Sequence, residues 1–224
     1  MKTIGLIGGM SWESTVTYYR IINETVRDCL GGLHSASLLL NSLNLAEVDK
    51  LQQDGNWQAC GELLTQAALK LQDAGADFIV ICANTTHKVV PQMEAQLQIP
   101  VLHIAQVAAE VLRERGIKRV ALLGTAYTLH EDFITGKLSA SGIKVLLPEE
   151  PDIEILQKII YEELCQGQIN AASKQECLRM MAYLKEAGAQ GVLLGCTELD
   201  LLLKPADVAL PLLDSTAMHA ERAA

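Results

Sequence analysis

Basic residues are in the minority: 18 Lys and Arg stand against 27 Asp and Glu, for a formal net charge of −9. Without a basic patch anywhere along the chain, nucleic acid and anionic membrane are excluded as main partners. No uninterrupted apolar run approaches the ~18 residues that a membrane span requires. Met1 to Gly9 is too short and too rich in glycine for a signal peptide and lacks a cleavage-like end, so a cytoplasmic location is expected. Phe and Trp are scarce, two of each. The six cysteines, at 29, 60, 82, 165, 177 and 196, form no C-x-x-C pair and do not cluster with the five histidines. That pattern argues against a structural zinc site, and chain size and compartment argue against a disulfide framework. Most of these thiols are expected to pack as small hydrophobes.

What is present is the composition of an ordinary folded chain, 50% hydrophobic and 20% charged over 224 residues. That length permits one large domain or two of roughly 110 residues, each able to bury a core. Short apolar runs alternate with longer stretches of helical periodicity. Strands are expected at Lys2 to Gly9, Ala36 to Leu43, Asp77 to Ala83 and Pro100 to Ile104, with helices near 13–29, 56–73 and 87–97. A helix then runs to about Arg115, and the pattern repeats with strands near 118–124, 143–147, 191–195 and 210–213. The second set of helices falls at about 129–141, 151–165 and 171–187. Strands that are apolar throughout and separated by helices indicate parallel sheets covered on both faces. The class is α/β.

The repetition is visible in the residues themselves. Lys2-Thr3-Ile4-Gly5-Leu6-Ile7-Gly8 resembles Lys118-Arg119-Val120-Ala121-Leu122-Leu123-Gly124 at an offset of 116. Ala74-Gly75-Ala76-Asp77-Phe78-Ile79-Val80 resembles Ala187-Gly188-Ala189-Gln190-Gly191-Val192-Leu193 at 113, and Pro100 corresponds to Pro211 at 111. Three matches in one order at nearly one offset predict two pseudo-symmetric lobes, 1–104 and 105–224, with the C-terminal segment able to pack across. Each lobe is expected to be a parallel sheet flanked by helices, with the active site in a cleft between them.

Open parallel sheets place ligands beyond the carboxyl ends of their strands. Gly8-Gly9-Met10-Ser11, Asn84-Thr85-Thr86, Gly124-Thr125 and Cys196-Thr197-Glu198 occupy those places. Hydroxyls, amides and free N–H groups of this kind can hold a carboxylate; equally, Ser and Thr there can serve as turn and N-cap residues. Four such loops favour a small anionic ligand. The 113 offset superposes Cys196 on Ala83, Thr197 on Asn84 and Glu198 on Thr85. A thiol at a strand end, near oriented N–H groups, is expected to have its pKa lowered from ~8.5 toward neutrality and to exchange a proton with carbon.

Four segments carry a family resemblance: Gly8-Gly9-Met10-Ser11-Trp12-Glu13-Ser14, Leu30-Gly31-Gly32-Leu33-His34-Ser35-Ala36, Ala83-Asn84-Thr85-Thr86-His87 and Leu194-Gly195-Cys196-Thr197-Glu198. Together they resemble the aspartate/glutamate racemase family, nearest its broad-specificity or aspartate/glutamate-specific amino-acid racemase branch. The resemblance implies racemisation of an acidic amino acid without pyridoxal phosphate or other cofactor, by two opposed acid/base residues, one per lobe. It implies a homodimer as well. Cys196 takes the second-lobe acid/base role. Met10, Ser11, Gln52, Asn84, Thr85, Thr125, Thr197 and Glu198 are the substrate-binding candidates, with Glu198 orienting Cys196 or binding the ammonium.

Two departures from the family pattern stand out. The first-lobe acid/base position, cysteine or threonine in the family, is Ala83 here, so it is vacant. Cys82 adjoins it but points to the other side of an ordinary strand. It could replace the base only if the strand end bulges. The arginine and lysine that recognise the side-chain carboxylate in archaeal aspartate racemases correspond to Val48 and Cys165, with Gln52 following the nearer branch as a stand-in.

Other chemistries fit less well. Gly5-Leu6-Ile7-Gly8-Gly9-Met10 misses the Gly-x-Gly-x-x-Gly spacing of nicotinamide binding, and no lysine in the four loops offers a Schiff base. His87, opening a helix, and His34, in a turn, are read as structural hydrogen-bonding residues. Two alternatives to the racemase stay open: a single-cysteine decarboxylase of the same superfamily, which needs one acid only, and a non-catalytic amino-acid-binding protein.

Overall fold

The computed structural model describes all 224 residues. Its contacts divide the chain into two units, one made of Met1–His103 and His219–Ala224, the other of Ile104–Met218. In the first, β1 (Ile4–Gly8), β2 (Leu38–Ser42), β3 (Phe78–Ile81) and β4 (Val101–Leu102) form a parallel sheet in the order β2-β1-β3-β4. In the second, β5 (Arg119–Gly124), β6 (Lys144–Leu146), β7 (Gly191–Gly195) and β8 (Leu212–Asp214) form a parallel sheet in the order β6-β5-β7-β8. The α/β class and the repeated lobe read from the sequence are what the chain adopts.

The repeat extends to strand register. Ile4 pairs with Phe78 and Ile79 with Val101 in the first sheet; Val120 pairs with Gly191 and Val192 with Leu212 in the second. These pairs are related by the offsets of 116, 113 and 111 that the sequence displays. Apolar side chains on both faces of the inner strands fix this register, because a slip of one residue would exchange the two buried faces.

Helices cover both faces of the first sheet. α1 (Trp12–Leu30) lays Tyr18 and Ile22 on one face, where Ile4, Leu6, Val80 and Cys82 meet them. α2 (Leu45–Gln53) and α3 (Trp57–Asp73) cover the opposite face, α3 contributing Leu64, Ala67, Ala68 and Leu71 to a cluster that contains Ile79, Ile81 and Ala83. After β3 the expected helix at 87–97 becomes a 3-10 turn, Thr85–Val89, followed by α4 (Val90–Glu94). Pro91 is accommodated in the first turn of α4, where its missing N–H leaves no bond unmade.

In the second unit α5 (Ile104–Glu114), α6 (Ala126–His130), α7 (Asp132–Ala140), α8 (Glu150–Lys158) and α9 (Ala171–Glu186) surround β5 to β8, and α10 (Leu199–Leu202) follows β7. The single helix expected at 129–141 is two, separated at Glu131, whose backbone is extended. The helix expected at 151–165 is α-helical only to Lys158, then passes through a π turn and a 3-10 turn that carries Cys165, ending at Gly167 in the left-handed region. Two helices were not foreseen: α2, and α11 (Ser215–Ala223), whose last residues from His219 onward belong to the first unit. No helix is long and apolar enough to cross a membrane.

Candidate active site

At the carboxyl end of β1, Gly9 has φ +86, and a Cβ there would lie 2.0 Å from the Leu43 carbonyl oxygen. Only glycine fits this turn. The Gly9 N–H donates to Thr15 Oγ1 at 2.8 Å. Ser11 is the N-cap of α1, its hydroxyl accepting from the Ser14 N–H at 3.3 Å. Met10 is buried in the core of the unit. Much of this loop's polar capacity thus serves the turn and the helix start, the capping role that hydroxyls commonly play there.

The end of β3 decides the status of Cys82. The Cys82 N–H continues the ladder by donating to the Ile7 carbonyl at 2.9 Å, so the strand end is not bulged. Side chains therefore keep alternating: Val80 and Cys82 lie in the cluster with Tyr18, Ile79, Ile81 and Ala83 in the one with Met10 and Val89. Burial pushes the Cys82 thiol far above its usual range. It faces away from the side that Ala83 occupies and is inert as a base. Asn84, buried, precedes the 3-10 turn that Thr85 opens. Gln52, on α2, hydrogen-bonds the buried Cys60 thiol. Val48 is 1% exposed within the core, so its position offers no contact to a ligand.

The corresponding end of the second sheet carries a connected polar group. Cys196, directly after β7, donates from Sγ to Glu198 Oε2 at 3.1 Å, and the Thr197 hydroxyl donates to the same oxygen at 2.6 Å. Thr125 caps α6, its Oγ1 accepting from the Thr128 N–H at 3.4 Å and lying 3.2 Å from Thr128 Oγ1. Cys196, Thr197 and Glu198 are brought together by a short turn into α10 rather than by distant packing.

The direction of the Cys196 pKa is opposite to the expectation. Burial, then the charge of the adjacent Glu198 and the hydrogen bond to it, hold the thiol well above its ordinary range; a backbone N–H of Glu198 pulls the other way, and Cys165 adds to the rise. Oriented N–H groups lower a thiol's pKa only when they outweigh desolvation and like charge. Here they do not, and at neutral pH the group is a thiol bonded to a carboxylate. Such a pair can pass the thiol's proton to the carboxylate, leaving a thiolate beside a carboxylic acid, and take it back by the reverse step.

His34 is exposed in its turn, while His87 is wholly buried. Tyr18 and His219 were not singled out by sequence reasoning, although the Tyr18 hydroxyl lies 2.7 Å from His219 Nδ1 and both are buried. No local pattern marks them; they are about 200 residues apart. No group of three or more His, Cys, Asp or Glu is arranged to hold a metal ion.

Comparison with known proteins agrees with this architecture. The crystal structure of a Yersinia pestis protein assigned as an Asp/Glu racemase is 46% identical and superposes with a TM-score of 0.95, over 100% of this chain and 97% of that one. An aspartate racemase homologue from Pyrococcus horikoshii OT3 is 35% identical at a TM-score of 0.87, again over 100% and 97%. The broad specificity amino-acid racemase RacX of Bacillus subtilis is 26% identical over 161 residues, 70% of this chain and 68% of that protein. The family described as Asp/Glu/Hydantoin racemase matches residues 7–223, and the chain belongs to that family.

Proposed function

We propose that this chain is a cofactor-independent racemase-type enzyme acting at the α-carbon of an acidic amino acid, aspartate or glutamate, with Cys196 as its acid/base residue. The observation that carries the reading is the Cys196–Glu198 hydrogen bond of 3.1 Å at the end of β7, at the position the repeat equates with Ala83. To take an α-proton the thiol must first lose its own, and Glu198 Oε2, already its acceptor, receives it. The resulting thiolate removes the α-proton; in the return direction the thiol protonates the carbanion and recovers a proton from Glu198. Asn84, Thr85, Thr125 and Thr197, with the Met10–Ser11 loop, would hold the α-carboxylate, and Gln52 the side-chain carboxylate. Withdrawal from water would strengthen these contacts, which matters because an α-proton is very weakly acidic.

On this reading Ala83 leaves one face of the α-carbon without a base. In deuterium oxide the chain should label one enantiomer at Cα without inverting it and leave the other unlabelled. Ala83→Cys or Ala83→Thr should raise interconversion by ~10²-fold or more, the usual worth of one acid/base group. Label is read by mass spectrometry and handedness by chiral chromatography, for L- and D-aspartate and glutamate. Efficient labelling and inversion of both enantiomers by the unmodified chain would overturn the vacant-base reading. If neither the parent nor Ala83→Cys labels anything, the racemase reading falls; carbon dioxide release would then identify a decarboxylase, and ligand-induced thermal stabilisation alone a binding protein.

A further inference from the structure

In the first unit, three imidazoles that the proposed reaction does not use gather at the 3-10 turn that follows β3. His87 and His103 have ring centroids 4.8 Å apart, and His87 and His219 5.5 Å apart at an interplanar angle of 65°. All three are buried, His87 and His219 completely. His219 is held from both sides, by the Tyr18 hydroxyl at 2.7 Å from Nδ1 and by the Leu102 carbonyl at 2.8 Å from Nε2. His87 Nδ1 lies 2.8 Å from the Ala83 carbonyl oxygen, while its Nε2 is buried without a hydrogen-bond partner.

These contacts fix the protons. A neutral imidazole carries one N–H, and a carbonyl oxygen can only accept. His87 therefore carries its hydrogen on Nδ1 and gives it to Ala83; His219 carries its hydrogen on Nε2 for Leu102 and accepts at Nδ1 from Tyr18. Burial first, then the neighbouring His103 and His219, keeps His87 well below its ordinary pKa, consistent with the neutral form. The bond matters because β3 ends at Ile81. The Ala83 carbonyl lies beyond the strand, at 8% residue exposure, and His87 supplies its donor. That carbonyl belongs to the peptide joining Ala83 to Asn84, so its orientation sets both the direction of residue 83's Cβ and the start of the Asn84-Thr85 turn.

We propose that His87 is a positioning residue for the first-unit half of the active site: its Nδ1–H holds the Ala83–Asn84 peptide in place, and the His219 ring, anchored by Tyr18 and Leu102, backs it. This rests on the reading of Ala83 and Asn84 as part of that site. His87 does not touch substrate. It acts through the peptide that leads into Asn84, the carboxylate ligand of that reading, whose side chain has to be aimed within a fraction of an ångström.

The test combines spectra with kinetics on the full chain. Two-bond 1H–15N correlation of the imidazoles should show His87 as a neutral Nδ1–H tautomer at pH 7, and His87→Ala should move the Ala83 carbonyl carbon resonance. At a temperature where every variant is fully folded, His87→Ala should reduce α-proton exchange of aspartate or glutamate by about a hundredfold, the scale expected for an ångström of misplacement. His87→Asn, whose amide nitrogen is attached to Cγ as Nδ1 is, should restore most of that loss. An Nε2–H tautomer or a cationic ring would overturn the proposal. So would exchange per folded molecule that is equal in parent and His87→Ala, or equally impaired in the Ala and Asn variants. If the parent exchanges no proton, the racemase reading fails separately, and the tautomer with the Ala83 carbonyl shift decides the positioning role alone.

Discussion

Cys196 and Glu198 form a unit whose behaviour follows from their contact. A thiol that is 7% exposed and bonded to a carboxylate 3.1 Å away resists ionisation because the thiolate would be both desolvated and beside a negative charge. Glu198→Gln removes the charge and keeps the shape, so the thiol's titration should move to lower pH. Thiolate absorbance in the ultraviolet reads that shift directly, and an unchanged titration would mean that burial alone sets it. On the racemase reading the same substitution removes the proton acceptor, and exchange should fall even as thiolate becomes easier to form. Cys196→Ala should abolish the exchange that the parent shows, a loss of ~10²–10⁴, so that neither enantiomer is labelled, with little change in the affinity measured by calorimetry. Exchange retained above about a tenth of the parent rate would remove Cys196 from the mechanism. The location of this cysteine at a strand end could be read from the repeat; its neighbours' net effect on its pKa could not. That balance depends on how deeply the turn into α10 buries the sulfur and where the Glu198 carboxylate swings.

At the scale of elements, β3 separates two neighbouring residues by the plain alternation of a strand. Cys82 packs with Tyr18 and Ile22 under α1, and Ala83 packs on the α3 side. Cys82→Ala should therefore leave α-proton exchange within about twofold of the parent while costing roughly 1 kcal/mol in urea unfolding, as loss of a small buried group does. Loss of exchange with stability intact would return Cys82 to the list of bases. The period of two made this alternation legible beforehand, but the absence of a bulge became certain only with the Cys82–Ile7 ladder bond. Other element boundaries were hidden for physical reasons. Helical periodicity across 129–141 is continuous in sequence, yet Glu131 adopts an extended backbone that breaks it into α6 and α7. Similarly, the run from 151 carries apolar residues at helical spacing through a π turn, whose i+5 bonds the pattern cannot distinguish from α-helix.

Across the whole molecule, stability should depend on pH through the buried histidines. Burial lowers His219 to about 4 and His87 well below its ordinary value, each from 6.5. Between pH 6.5 and about 4 the unfolded chain binds more protons than the folded one, so stability rises with pH through that window and is lost on acidification. A gap from 6.5 to about 4 corresponds to about 3 kcal/mol for His219 alone. Urea unfolding measured from neutral pH downward should show this decline, and His219→Gln should flatten part of it while lowering stability at pH 7. A flat profile in the parent would mean that these imidazoles reach water in the folded state.

The sequence by itself determined the α/β class and the doubled lobe, because strands buried on both faces and spaced by helices write their period and their repeat locally. It also located Ala83 and Cys196 as equivalent positions, since strand ends inherit their place from that repeat. Only the tertiary structure decided that the strand end carrying Cys82 is unbulged, that the Cys196 thiol is held protonated, and that the rings of His103 and His219 close on His87, with Tyr18 bonded to His219. Those outcomes depend on distances between segments up to 201 residues apart, and on desolvation, which is a property of the packed interior. No local pattern in the chain encodes either.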